Sequence, residues 1–283
     1  MKTLLTVLCM LFAGTCAFAS NFFLDNNGVT VKCTGCSNGD TGMVNGIEYT
    51  AVSQSALVNM VADLENNDLS KVCTSLVYDL SYMFYDHPNF NQDISSWDVS
   101  NVQSLEGTFE YVDAFNADIS HWDVSNVTSM LATFANADNF NQDIGGWNVS
   151  NVEVMDWALA GLDFFNHDLG DWDVGNVETM QSMFSGCFLF NQSLSGWDVS
   201  NVTNMRSMFS GCYNFNENIS TWDVSNVRYM NYMFSQASDF NEDIGNWNVT
   251  SVEDMNSMFL GASSFNRDIG QWNVFLVSDM SRM

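Results

Sequence analysis

Tryptophan recurs at positions 97, 122, 147, 172, 197, 222, 247 and 272, and every step is 25 residues. Other letters keep the same beat. Phe90, Phe115, Phe140, Phe165, Phe190, Phe215, Phe240 and Phe265 each precede an Asn, from Asn91 to Asn266. Val99 and Val102 return in every unit, as does an Ile or Leu from Ile94 to Ile269, and a Met follows in seven units from Met130 to Met280, with Leu105 in the first. A fixed period of this kind is the signature of a repeat architecture, in which one unit cannot bury its apolar face alone but stacked units share a continuous core. The expectation is a solenoid of about eight 25-residue rungs with short parallel strands over 81–283.

The period is too short for two helices and a turn, which need roughly 33 residues or more. The units are rich in Val, Ile, Trp and Phe and are broken by Asn, Asp, Ser and Gly, which favours short extended segments joined by turns. One short helical or 3₁₀ turn per unit fits around Met183-Phe184-Ser185-Gly186-Cys187. Rungs of this kind lie ~4.8 Å apart, so the array is expected to run roughly 35–40 Å. The repeated Asn is expected to bond backbone at its turn and the Asn of the next rung.

The flanks do not share the period. Lys2, the apolar run Leu4 to Phe12 and Ala17-Phe18-Ala19 have the layout of a secretory signal over 1–19. Cys16 raises a lipoprotein alternative, although Thr15 is a poor residue before a lipidated cysteine. Residues 20–80 are expected to form a small α+β N-terminal cap. Its helix would run Ser55 to Glu65, with Leu57, Met60, Val61 and Leu64 on one face and Ser53 or Ser55 as N-cap. Such a cap shields the edge of the first rung. The sequence stops at Met283, in the register of Met258, partway through a unit. A frayed end, pairing with another chain and a longer natural product all remain open.

Charge narrows the partners. The chain has 7 Lys and Arg against 34 Asp and Glu, a formal charge of −27. Nucleic acid and anionic membrane surfaces both require clustered basic residues, so neither is an expected partner. No run after the leader approaches the ~18 apolar residues of a membrane span.

The run Phe140-Asn141-Gln142-Asp143-Ile144-Gly145-Gly146-Trp147-Asn148-Val149-Ser150-Asn151-Val152, closing with Met155, resembles the repeat of the BspA-like surface proteins. That family includes the 25-residue surface lipoprotein repeats of mycoplasmas. The stretch from Leu24 to Cys73 is similar to the segment that often precedes these repeats. The resemblance implies a leucine-rich-repeat-like fold, export and a surface or adhesive role, with no catalytic residues, because the motif consists of structural letters. Phe275-Leu276 depart from the usual Ser-Asn.

Beyond the leader the cysteines are Cys33, Cys36, Cys73, Cys187 and Cys212, an odd number for an oxidising compartment. Cys187 and Cys212 are one period apart, so a disulfide between neighbouring rungs is geometrically allowed, as are two small core thiols. In the cap, Cys33 with Cys73 is the preferred bridge, leaving Cys36 unpaired; a Cys33-Cys36 zinc or redox pair lacks a second pair of ligands.

Asp93, Asp118, Asp143, Asp168, Asp243 and Asp268 share one register, and Asp98, Asp123, Asp173, Asp198 and Asp223 another. Either each Asp caps its own turn, or Ca²⁺ bridges carboxylates of adjacent rungs. Six N-glycosylation sequons, at Asn126, Asn148, Asn191, Asn201, Asn218 and Asn248, arise largely from the repeat itself. His87, His121 and His167 fall in three registers, and no HExxH, phosphate loop or Gly-x-Ser-x-Gly occurs. Thr residues are scattered, against an ice-binding face. The function these features support is a secreted or cell-surface, non-catalytic binding or adhesion protein with an extracellular protein or glycan partner. A polysaccharide lyase or hydrolase on the same scaffold is the alternative. Trp157, the one tryptophan outside the core register, is the candidate surface contact, or it fills a local gap; Tyr111, Tyr213, Tyr229 and Tyr232 are further off-ladder aromatics.

Overall fold

The computed structural model describes residues 21–283. The expected leader, 1–19, lies outside the described residues.

The described chain opens with a hairpin, β1 (Asn21–Leu24) antiparallel to β2 (Val31–Thr34). A second sheet follows, in which β3 (Thr41–Val44) pairs antiparallel with β4 (Ile47–Ser53), and β4 pairs parallel with β5 (Val72–Leu76). Between β4 and β5 lie α1 (Gln54–Val61) and a 3₁₀ turn (Leu69–Lys71). Ser53 caps α1, its hydroxyl accepting the Ala56 N–H at 3.3 Å. The helix is shorter than the apolar pattern predicts. The Asn67 side-chain amide donates to the carbonyls of Met60 and Asp63, at 3.2 and 2.8 Å, and stabilises a turn where a further helical turn was expected.

After β5 the chain is a repeat fold. Isolated parallel bridges join Ser104 to Ser129, Ser129 to Val154 and so on through Asp254 to Asp279, always 25 residues apart. The short parallel strands expected from composition shrink to these single bridges. The reason is local. Within each unit the chain makes consecutive turns, as in Thr108 N–H to Leu105 O, Glu110 N–H to Gly107 O and Val112 N–H to Phe109 O. Alternate amides then point out of the turn plane: Leu105, Gly107, Phe109 and Tyr111 donate to Ser129, Leu131, Thr133 and Ala135 of the next unit, at 3.0, 2.8, 2.8 and 2.9 Å. The turns demand left-handed backbone at one fixed position of each 25-residue period, and Tyr82, Gly107, Ala132, Trp157, Ser182, Ser207, Tyr232 and Ser257 all adopt it, with φ between 52° and 60°. This is a conformation that costs a side-chain-bearing residue roughly 1–2 kcal/mol. The same turns occupy Met183 to Cys187, where a helical turn was expected.

The recurring letters form internal columns. Phe115 stacks on Phe140 at 5.8 Å and 2°, Phe109 on Phe134 at 5.5 Å, and Trp122 on Trp147 at 6.4 Å and 6°. Each of the eight indoles donates its N–H to a carbonyl 28 residues earlier, from Trp97 to Leu69 O at 3.0 Å through Trp272 to Ile244 O at 3.1 Å. Buried indole N–H groups require such a partner, and this one ties each unit to the one before it. The Phe-Asn asparagines do the same at the turn: the Asn116 Oδ1 accepts the Asn141 N–H at 3.0 Å, and Asn191 and Asn216 serve the next units likewise.

The periodic contacts begin upstream of residue 81. Leu69, Val72, Val77 and Leu80 are buried and precede Ile94, Trp97, Val102 and Leu105 by one period each. The amides of Gln103 and Leu80 already make the inter-unit bonds, to Tyr78 O and Ser104 O. A smaller core of Val31, Cys33, Val44, Tyr49, Ala51 and Cys73 sits beside this degenerate unit.

Candidate functional site

Because the repeated letters are buried, any contact surface must be made of letters that break the repeat. The turn carboxylates are the first to consider. Asp118, Asp143, Asp168 and Asp243 each accept the N–H two residues on, at 2.9 to 3.1 Å, and Asp198 and Asp223 do so at 3.0 Å. Hydrogen bonds from the hydroxyl and amide of the following Ser hold Asp118, Asp198 and Asp223 below the usual carboxylate range. These are turn caps. Among the described residues no three His, Cys, Asp or Glu side chains converge as a metal site, so the geometry gives no support to calcium bridging.

The five described cysteines are thiols. Cys187 and Cys212 are fully buried in adjacent units, and each Sγ donates to a carbonyl of the preceding unit, Leu159 O at 3.0 Å and Phe184 O at 2.9 Å. Burial pushes the Cys187 thiol up to about 12 and raises that of Cys212 as well, which makes both poor nucleophiles. Cys33 and Cys73 share the small core, with partly buried Cys36 packed against it; burial and these neighbours raise the Cys33 thiol.

Trp157 is 42% exposed. Beside it Asp156 is fixed by the Thr179 hydroxyl and the Gln181 N–H, both at 2.6 Å, and burial raises its carboxyl. A second exposed apolar group went unnoticed in the sequence apart from Tyr213. Phe164 is 63% exposed, and Leu189 and Tyr213 are exposed with it. Phe188 stacks on Tyr213 at 4.8 Å and 12°, joining neighbouring units. At the registers of these four residues other units carry Asp113, Asp138, Asn139, Asn214, Asp239, Ser238, Ser263 and Ser264. The signal was therefore present as an apolar departure from a polar column.

A family model described as a Mycoplasma protein of unknown function, DUF285, matches residues 53–162, 113–212 and 190–283, overlapping stretches that together run from 53 to 283. The chain belongs to the DUF285 family. This membership agrees with the BspA-like resemblance of the 25-residue unit, and the DUF285 matches begin at Ser53, ahead of the degenerate unit at Leu69 to Leu80. No curated protein matches this DUF285 chain. A solved structure, a leucine rich cell surface protein from Faecalibacterium prausnitzii, is similar at 10% identity over 92% of this chain and 94% of that chain, with a TM-score of 0.23. Among the described residues no helix is long and apolar enough to cross a membrane.

Proposed function

We propose that this chain is a secreted or cell-surface binding protein, a leucine-rich-repeat-like solenoid of about eight 25-residue rungs that presents an acidic face and exposed aromatics to an extracellular protein or glycan. The observation that carries this reading is the patch of Phe164, Phe188, Leu189 and Tyr213. Phe164, Leu189 and Tyr213 are exposed there, with Phe188 half-buried beneath Tyr213, at registers where most other rungs place Asp, Asn or Ser. Nothing in the core packing requires them, and contiguous exposed apolar groups on a soluble surface mark contact sites. Affinity accumulates from many modest contacts along the array, as in other repeat proteins. The expected leader over 1–19, a cap region over 20–80 and the solenoid over 81–283 complete the organisation, with export followed by Cys187–Cys212 and Cys33–Cys73 bridges in an oxidising compartment.

The test is a glycan and matrix-protein array probed with the purified chain and with a Phe164→Asn, Leu189→Asn, Tyr213→Ser variant. These are residues that the same registers carry elsewhere, so the fold is retained. Binding by the parent that the variant loses, at equal melting temperature, supports the reading. Equal binding by both removes the patch from the account, and turnover of labelled polysaccharide replaces binding with the lyase or hydrolase alternative.

A further inference from the structure

The first two full units carry an aromatic group unlike any other in the array. Tyr82 and Tyr85 meet edge to face, with ring centroids 5.9 Å apart at 82°. Tyr85 and Tyr111 repeat the arrangement at 6.0 Å and 79°. All three rings are exposed by about half. Most other units hold small residues at the registers of Tyr85 and Tyr111: Ala135, Ala160, Ser185, Ser210 and Ser235 from two periods beyond Tyr85, and Gly161, Gly186, Gly211 and Gly261 in the column of Tyr111.

The group has been made room for. Tyr82 lies over Gly107, where a Cβ would come within 2.5 Å of the ring carbons and 3.3 Å of a Glu110 carboxylate oxygen. Every later unit carries a side chain at that position, beginning with Ala132 and Trp157. Tyr111 has φ +58°, a conformation glycine adopts freely and tyrosine does not. The sequence therefore keeps an aromatic where four other units relieve the strain with Gly.

Two carboxylates border the rings. The Tyr82 hydroxyl donates to Glu106 at 2.6 Å, and that bond pushes its titration up to about 12, so the ring stays neutral. Burial raises the Glu110 carboxyl, and the Glu106 charge raises it further. Neither glutamate takes part in an ion pair among the described residues, where Lys32, Lys71 and Arg228 pair with other carboxylates.

We infer that Tyr82, Tyr85, Tyr111, Glu106 and Glu110 form a site for a primary ammonium, the lysine side chain of a protein partner. The half-exposed tyrosine rings offer π faces, and a cation over such a face is attracted by the ring quadrupole. The two carboxylates accept N–H bonds, which a protonated amine supplies and a quaternary one does not. A lysine also relieves the repulsion between Glu106 and Glu110. The inference deepens the surface-binding reading and relies on it only for the partner being a protein.

The test uses the whole mature chain with ¹³C-labelled tyrosine, titrated in ~0.1 M salt with Nα-acetyl-lysine methylamide and, separately, with its uncharged norleucine analogue. The expected result is saturable movement of the Tyr82, Tyr85 and Tyr111 ring resonances with the lysine compound alone. Tyr111→Gly and Glu110→Gln should each weaken it by about threefold or more. Tyr111→Gly should melt at the parent temperature or above, which separates lost binding from lost folding. Tyr213→Ser, distant in the array, should leave the titration unchanged. An equal response to the norleucine analogue, saturation by methyl glucoside at the same rings, or undiminished binding by Tyr111→Gly overturns the inference. Array binding that survives such a failure leaves the broader surface-binding reading in place.

Discussion

Replacing Trp147 by Ala removes one indole from the middle of the stack. The ring is nearly fully buried, lies 6.4 Å from Trp122 and 6.0 Å from Phe134, and donates to Ile119 O at 3.1 Å. Truncating a buried Trp to Ala costs ~3–5 kcal/mol through lost transfer energy and the cavity left behind. The hydrogen bond adds little beyond that, because the Ile119 carbonyl still accepts the Trp122 backbone N–H at 3.1 Å and is not orphaned. Its own loss is therefore worth ~0.5–1.5 kcal/mol. Trp147→Phe, which keeps most of the ring volume, should accordingly cost roughly 1–2 kcal/mol. Trp272 makes the same hydrogen bond but is only partly buried, so Trp272→Ala should cost half as much as Trp147→Ala or less. Equilibrium urea unfolding followed by far-ultraviolet circular dichroism measures all three without relying on the fluorescence of the residue removed. A Trp147→Ala loss below ~1.5 kcal/mol, or equal losses at 147 and 272, would refute the reasoning that the indole column is a continuous buried spine.

Ala132 sits at φ +52°, so Ala132→Gly should raise stability by about 0.5–1 kcal/mol in the same assay, the relief of left-handed strain exceeding the entropy that glycine adds to the unfolded chain. The pH profile follows from two opposed sets of carboxylates. Asp118, Asp198 and Asp223 titrate lower folded than unfolded, so their contribution is fully present above their ordinary value of 3.8 and is lost as pH falls through the folded values. Asp156 and Glu110 titrate higher when folded, so their contribution is present below their ordinary values and is lost as pH rises through the folded ones. With a charge of −27 also relaxing on mild acidification, the melting temperature should peak near pH ~5 and fall on either side; a steady rise down to pH ~3 would contradict this. Non-reducing peptide mapping of chain exported through an oxidising compartment should return Cys187–Cys212 and Cys33–Cys73 cross-linked peptides, and five free thiols would overturn both pairings.

The core of the array was legible because core chemistry is what the period repeats. The Trp, Phe and Val columns and the Asn hydrogen bonds all lie where identical letters 25 residues apart place them. Three features were harder to read. The left-handed residue of each turn is Ala132, Ser182 or Ser207 in some units, none of which advertises that conformation, so strands were expected where successive turns occur. Leu69, Val72, Val77 and Leu80 did announce a degenerate unit, but without a Trp or a Phe-Asn pair the period is visible only by counting backward from Ile94. The tyrosine group is split between units: Tyr85 and Tyr111 are 26 residues apart in sequence and 6.0 Å apart in space, a proximity that exists only once the units stack.

That stacking is open to a direct distance measurement. With Cys36 replaced by Ser and the buried thiols left unlabelled, nitroxides are placed on cysteines substituted at Asp118 and Asp243, at Asp93 and Asp243, and at Asp93 and Asp268, pairs separated by 5, 6 and 7 periods. Double electron–electron resonance should give mean separations of about 24, 29 and 34 Å, growing by one ~4.8 Å rung for each added period. Distances that fail to increase with the number of intervening units would contradict the stack on which every other statement about this molecule depends.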